Sequence, residues 1–188
     1  MKQLITIVTL LTVHIYSIGQ SRHPLPTVDN KITYTEVVTV DSVKKDELYA
    51  KTKLWFADVF KSSKDVIQLD DKENGIVLGK GNIQKRESGL QPVIKTWRFT
   101  VKIQLKDGKY KADIYDIDYT FEMPGNNIGA KPTDINLDSY FLDQRIYKKD
   151  GTLKDVALKF ANETNDNFNS LLASIKKSLT EKIKKDDF

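Results

Sequence analysis

The side chains best able to do chemistry in this 188-residue chain are acids. Asp113, Asp116 and Asp118 sit close together, and Asp70, Asp71 and Glu73 form a second group beside the stretch NGIVLGKGN, residues 74–82. Paired carboxylates serve glycosidases as acid and as base or nucleophile, and carboxylate sets also hold calcium. An Asp-x-Asp step lacks the spacing of a calcium loop, so these acids read as solvated groups near turns. Histidine is confined to His14 and His23, and there is no cysteine. A Ser-His or Cys-His nucleophile and a His- or Cys-ligated zinc site are therefore excluded. No residue is assigned as catalytic, metal-binding or cofactor-binding, and a carboxylate-based hydrolase ranks below a binding role.

The glycines of NGIVLGKGN suggest a phosphate cradle. A P-loop needs four residues between its first Gly and the Gly-Lys pair, followed by Ser or Thr. Here three separate Gly75 from Gly79-Lys80, and Gly81 follows. No helical pattern starts there to present its N-terminus to an anion. The stretch reads instead as an Asn74-Gly75 type I′ hairpin turn entering a strand. Gly79 and Gly81 share one face of that strand and leave room for a bulky neighbour, with Trp55 and Phe56 as the expected occupants. Lys80 then points to solvent on the other face.

The elements that must position these residues follow from periodicity. Gln20 to Asn30 reads as a linker and Lys31 to Val40 as a strand. Val43 to Phe60 switches to helical spacing, with Leu48, Thr52, Trp55 and Val59 on one face. Asp46 and Glu47 in its first turn and Lys61 at its end suit the helix dipole. Asp65–Asp71 and Gly75–Gln84 read as strands. Val93–Leu105 and Tyr110–Met123 form a longer pair joined at Asp107-Gly108. Pro124 to Asp150 reads as a polar connection. From Thr152 to Lys184 a long helix carries Leu153, Val156, Phe160, Thr164, Phe168, Leu171, Ile175 and Leu179. Thr152 and Asp155 have capping-box spacing, and NETNDN is a candidate break. The order is β-α-β-β-β-β-α: an α+β fold with an antiparallel sheet of about five strands and helices on one face.

A two-residue turn at Asp107-Gly108 fixes the register of the long pair. Leu105 faces Tyr110, Ile103 faces Ala112 and Val101 faces Ile114, all toward the core. Continued unbroken, Phe99 meets Asp116 and Trp97 meets Asp118, and Tyr115, Ile117, Tyr119 and Phe121 turn onto the open face. A β-bulge near Ile114–Asp116 would return the aromatics to the core, and the cost of burying unpaired Asp116 and Asp118 favours it. Without it, these residues and Arg98 form an apolar patch beside Thr96 and Thr100, the default interaction surface. That surface is assigned as Arg98, Tyr115, Ile117, Tyr119 and Phe121.

Apolar residues at 39% and charged residues at 30% describe an ordinary globular chain. The net charge of +4, from 30 basic and 26 acidic residues, is too evenly mixed for a nucleic-acid surface. Lys2, the apolar run Leu4–Ile15 and the small-x-small step Ser17-Ile18-Gly19 make a secretory signal peptide cut near Gly19. The run is shorter than the roughly 20 residues of a spanning helix. With no cysteine for lipidation, the expected location is periplasmic or secreted, with no transmembrane segment after cleavage. The Lys-rich end, IKKSLTEKIKKDDF, carries Glu181, Asp186 and Asp187, so it reads as a solvated helix end rather than a membrane-surface helix.

Residues 45–83, from KDELY through Trp55-Phe56 to Asp70–Gly81, together with KDGKY and the strand after it, resemble a family. It is an exported Bacteroidota family described as a domain of unknown function with a TATA-binding-protein-like fold. The resemblance covers residues 31–123, with 124–188 adding the connection and the long helix. It implies a fold and an envelope location and supplies no catalytic residue. DNA binding does not follow, because there is one repeat and no basic stripe. The expected role is a non-catalytic exported domain that binds a protein, a glycan or its own copy through the open sheet face. The alternative is a carrier of a small apolar ligand between the sheet and the C-terminal helix.

Overall fold

A computed structural model describes residues 24–60, 66–89, 92–124 and 134–181. The signal-peptide segment, Lys61 and the end of IKKSLTEKIKKDDF lie outside them. Two short strands, β1 (Thr27–Val28) and β2 (Lys31–Ile32), form a hairpin. They precede β3 (Tyr34–Thr39) and helix α1 (Lys45–Phe60). Strands β4 (Ile67–Asp71), β5 (Ile76–Glu87), β6 (Val93–Lys106) and β7 (Lys109–Glu122) follow. Strand β8 (Ile135–Asn136), helix α2 (Leu137–Leu142), a 3-10 turn (Gln144–Ile146) and helix α3 (Asp155–Thr180) complete the order. The sheet is antiparallel in the order β3-β7-β6-β5-β4, and β8 pairs with the far half of β7. Both α1 and α3 pack on one face, as expected for an α+β fold.

Alternation in β6 drives the core. Trp97, Phe99, Val101, Ile103 and Leu105 are buried, and the residues between them point to the open face. Helix α3 supplies Phe168, Leu171, Ile175 and Leu179, and α1 supplies Leu48, Trp55 and Phe56. The polar tips of three core aromatics end on α3. Trp97 Nε1 donates to Thr164 Oγ1 at 3.2 Å, Tyr34 Oη to Asn165 Oδ1 at 2.8 Å, and Trp55 Nε1 to Ser174 Oγ at 3.0 Å. These bonds explain why NETNDN does not break the helix: its Thr164 and Asn165 serve buried partners in an unbroken α3.

Other expectations are corrected. The described part of the expected linker is structured: Leu25 is buried, and Thr27–Val28 pairs with β2, whose Ile32 N–H donates to Asp138 Oδ1 of α2. The turn before β5 is a four-residue loop, Lys72–Gly75, closed by the Asp71–Ile76 pair. Asp71 accepts from the Asn74 N–H, and only Gly75 takes positive φ, at 64°, so it is no type I′ turn. Gly79 lies beneath Phe56 as expected, but the ring over Gly81 is Phe60, not Trp55. Trp55 is rotated toward α3, and Val59 is exposed. The connection 124–150 contains β8 and α2, whose Leu137 and Phe141 are buried. Thr152 bonds Asp150 instead of forming a capping box, and the cap position of α3 is Lys154, with no side-chain bond. Val156 is exposed.

Candidate functional site

The five residues assigned to one surface are divided among three places. The β6–β7 register runs as expected from Lys106–Lys109 through Val101–Ile114 to Thr100–Tyr115, then shifts, so that Trp97 pairs with Tyr119 and Arg98 with Asp118. The shift is a bulge at Asp116, whose φ is 51°. It reverses the facing of everything that follows. Ile117 enters the core, and Tyr119 turns to the helix side at 8% exposure, beside fully buried Trp97. Tyr115 precedes the bulge, pairs with Thr100 and stays on the open face. The apolar open-face patch therefore does not exist: Ile117 and Tyr119 belong to the other side.

Tyr119 and Phe121 instead wall a groove of about 370 Å³ at the end of the sheet where α3 begins. Helix α3 forms the opposite wall with Val156, Lys159, Phe160 and Glu163, which share one helical face. Ile135 of β8 and Tyr140 of α2 complete the lining. The Phe160 ring lies 4.6 Å from Tyr119 and 5.4 Å from Tyr140, centroid to centroid. Trp97 backs this cluster at 5.0 Å from Tyr119. Two lining residues are accessible despite their apolar character: Phe121 at 41% and Val156 at 80%.

The polar edge of the groove is an ion cluster. Lys95 Nζ donates to Glu87 Oε1 at 2.7 Å and to Glu163 Oε2 at 2.9 Å, and Lys85 Nζ lies 3.9 Å from Glu163 Oε1. Burial works against charge on Lys95, but its bonds to Glu87 and Glu163 outweigh this and raise its pKa. The bond from Lys95 lowers the Glu87 pKa. Burial raises the Tyr119 and Tyr140 hydroxyls, which stay protonated. The cluster thus sets fixed charges and protonated phenols around an apolar hollow.

The open face carries a second hollow, about 360 Å³, around the bulge. Lys80, Asn82, Arg98, Asp116 and Asp118 line it. Arg98 Nη2 donates to Asp134 Oδ1 at 2.6 Å and Asn136 Nδ2 to Asp118 Oδ1 at 3.2 Å. Lys80 faces solvent there, as expected. The other acids are structural. Asp113, read as solvated, is buried, accepting from Thr35 Oγ1 at 2.7 Å and pairing with Lys111 at 3.0 Å. Asp70 accepts from both Tyr49 and Lys53, tying β4 to α1. Among the described residues no three metal-ligating side chains converge.

Sequence reasoning missed Lys95, Ile135, Tyr140 and Glu163 as groove residues and placed Val156 and Phe160 in the core stripe. For Tyr140 a signal existed: Leu137, Tyr140 and Phe141 have helical spacing behind Asn136, whose side chain accepts from the Ser139 N–H.

Comparison with known proteins agrees with this architecture. A family model, "Domain of unknown function (DUF4468) with TBP-like fold", matches residues 34–120. A DUF4468 family protein from Bacteroides ovatus superposes with a TM-score of 0.69 at 16% identity, covering 87% of this chain and 94% of its own. A TBP-like protein from Parabacteroides distasonis superposes with a TM-score of 0.62 at 17% identity, covering 85% of this chain and 99% of its own. No curated protein matches the chain. With the sheet order, the bulged long hairpin and both helices on one face in place, the chain has a TBP-like α+β fold, and its residues 34–120 are similar to the DUF4468 family.

Proposed function

We propose that this chain is an exported, non-catalytic binding domain that holds a small apolar or amphiphilic ligand in the groove between the sheet and α3. The observation that carries the reading is the exposure of Val156 and Phe121 on either side of a hollow also lined by Phe160, Tyr119 and Tyr140. Accessible apolar walls with a few charged groups at one edge are the common composition of ligand pockets. The volume lies at the small end of such pockets. Export rests on Lys2, the apolar run and the small residues near Gly19. The test is a thermal-shift titration with decanol, beside a Val156→Arg variant that fills the groove from an exposed position. Decanol is expected to raise the melting temperature of the parent and not of the variant. Equal shifts in both proteins, or none in the parent, would contradict the reading.

A second reading keeps the open face as a contact for a protein, a glycan or a second copy of the chain. It is favoured by Asp116, a non-glycine residue held at positive φ inside a long strand and facing a hollow. Arg98→Ala and Asp116→Ala would weaken binding at that face and leave decanol binding unchanged. Loss of decanol binding in either variant would count against two separate sites.

A further inference from the structure

We infer that the groove selects an anionic amphiphile, a medium-chain carboxylate held with its tail among the aromatics and its head at Lys159; this rests on the groove being the ligand site. The selectivity follows from the charges at the groove's edge. Glu87 and Glu163 are both matched already, by Lys95 and, for Glu163, by Lys85 as well. Lys159 lines the same groove one helical turn before Glu163 and is exposed; among the described residues it makes no ion pair within 4 Å, and it acts on Glu87 only at longer range, behind the Lys95 bond. The edge therefore carries one surplus cation.

An ammonium on a flexible stem beside an apolar wall suits a carboxylate headgroup. A cationic head would meet Lys95 and Lys159 with both nearby acids occupied. The tail length follows from the volume. A methylene takes about as much room as a water molecule, about 30 Å³. A groove of about 370 Å³ then accommodates on the order of ten carbons. The ring of Phe160 and the exposed face of Val156 lie next to Lys159 on α3, so head and tail contacts come from one helical stripe.

The experiment is calorimetric titration of the full chain with three ligands sharing a ten-carbon tail: decanoate, decanol and decyltrimethylammonium, each below its micelle concentration. Decanoate is expected to bind about three- to tenfold more tightly than decanol, the size of a partly exposed charge pair. That advantage should shrink as salt rises. Lys159→Gln keeps a polar, shorter side chain and removes the charge. It is expected to bring decanoate down to the affinity of decanol measured on the same variant. Equal affinities for decanoate and decanol in the parent, or tightest binding of decyltrimethylammonium, would overturn the headgroup assignment while leaving the groove as a site. No binding of any of the three would overturn the groove reading itself. A decanoate preference that survives in Lys159→Gln would also refute the role of Lys159.

Discussion

Gly79→Ala is the sharpest test of how the sheet and α1 fit together. A Cβ built on Gly79 would come within 2.6 Å of Phe56 Cε1 and 3.1 Å of the Val66 carbonyl oxygen. Carbon pairs pack at about 3.5–4.0 Å, so the Phe56 ring must retreat by about 1 Å. It has little room to do so. The ring is fully buried, with Trp55 at 4.9 Å and Phe60 at 5.9 Å between centroids. Over-packing of this kind costs about 1–3 kcal/mol. Replacing Gly by Ala in a strand returns about 0.5–1 kcal/mol. The net expectation is a loss of about 1–2 kcal/mol, or about 3–6 °C in melting temperature at this chain length. Urea denaturation followed by circular dichroism measures it. A Gly79→Ala protein as stable as the parent would refute the close approach. The double variant with Phe56→Leu gives a second handle, since a smaller side chain relieves the crowding. The two substitutions should be less costly together than in sum, by about 0.5 kcal/mol or more, and strict additivity would contradict the contact.

Thr164→Val leaves the buried Trp97 Nε1 without its acceptor and should cost about 1–3 kcal/mol by chemical denaturation. Asp116→Gly relieves a positive φ and should raise stability by about 0.5–1 kcal/mol, whereas Asp116→Val should lower it; the same assay reads both. Acid sensitivity follows from Asp70 and Asp107. Donors Lys53 and Tyr49 hold the Asp70 pKa down, and the Lys45 N–H, the first donor of α1, holds down that of Asp107. Because both folded values lie below the unfolded one, near 4, their contribution is present above that pH and is lost as pH falls through the folded values. The urea midpoint should therefore stay flat from about pH 7 to 5 and decline below about 4. An Asp107→Asn variant should show a shallower decline.

The β6–β7 hairpin was legible because a period of two, a Gly in the turn and the cost of burying Asp116 and Asp118 all act locally. Even the bulge was inferable from that conflict. Its position was the harder part: a shift after Tyr115 leaves Tyr115 outside and sends Ile117, Tyr119 and Phe121 to the helix side, with Phe121 at the groove. Helix α1 was legible in extent but not in rotation, since neighbouring residues differ by about 100° and Trp55, Phe56 and Phe60 are all aromatic. That is why Phe60, not Trp55, covers Gly81. The region around α2 was barely legible for a different reason. A six-residue helix shows its period only in Leu137, Tyr140 and Phe141, and it is held by β2 through the Ile32–Asp138 bond, 106 residues apart in sequence. The groove combines β6, β7, β8, α2 and α3, so no local pattern announces it. Its charged edge arises where Lys95 meets Glu163 across the fold.

The most direct test of the account is a map of backbone amide chemical shifts during titration with decanoate. The predicted result is a cluster of shifted amides at Lys95, Tyr119–Phe121, Ile135 and Val156–Glu163, with Lys80, Asn82 and Arg98 unmoved. Shifts centred on Lys80, Arg98 and Asp116, or no saturable shifts at all, would contradict the claim that the groove is where this domain meets its ligand.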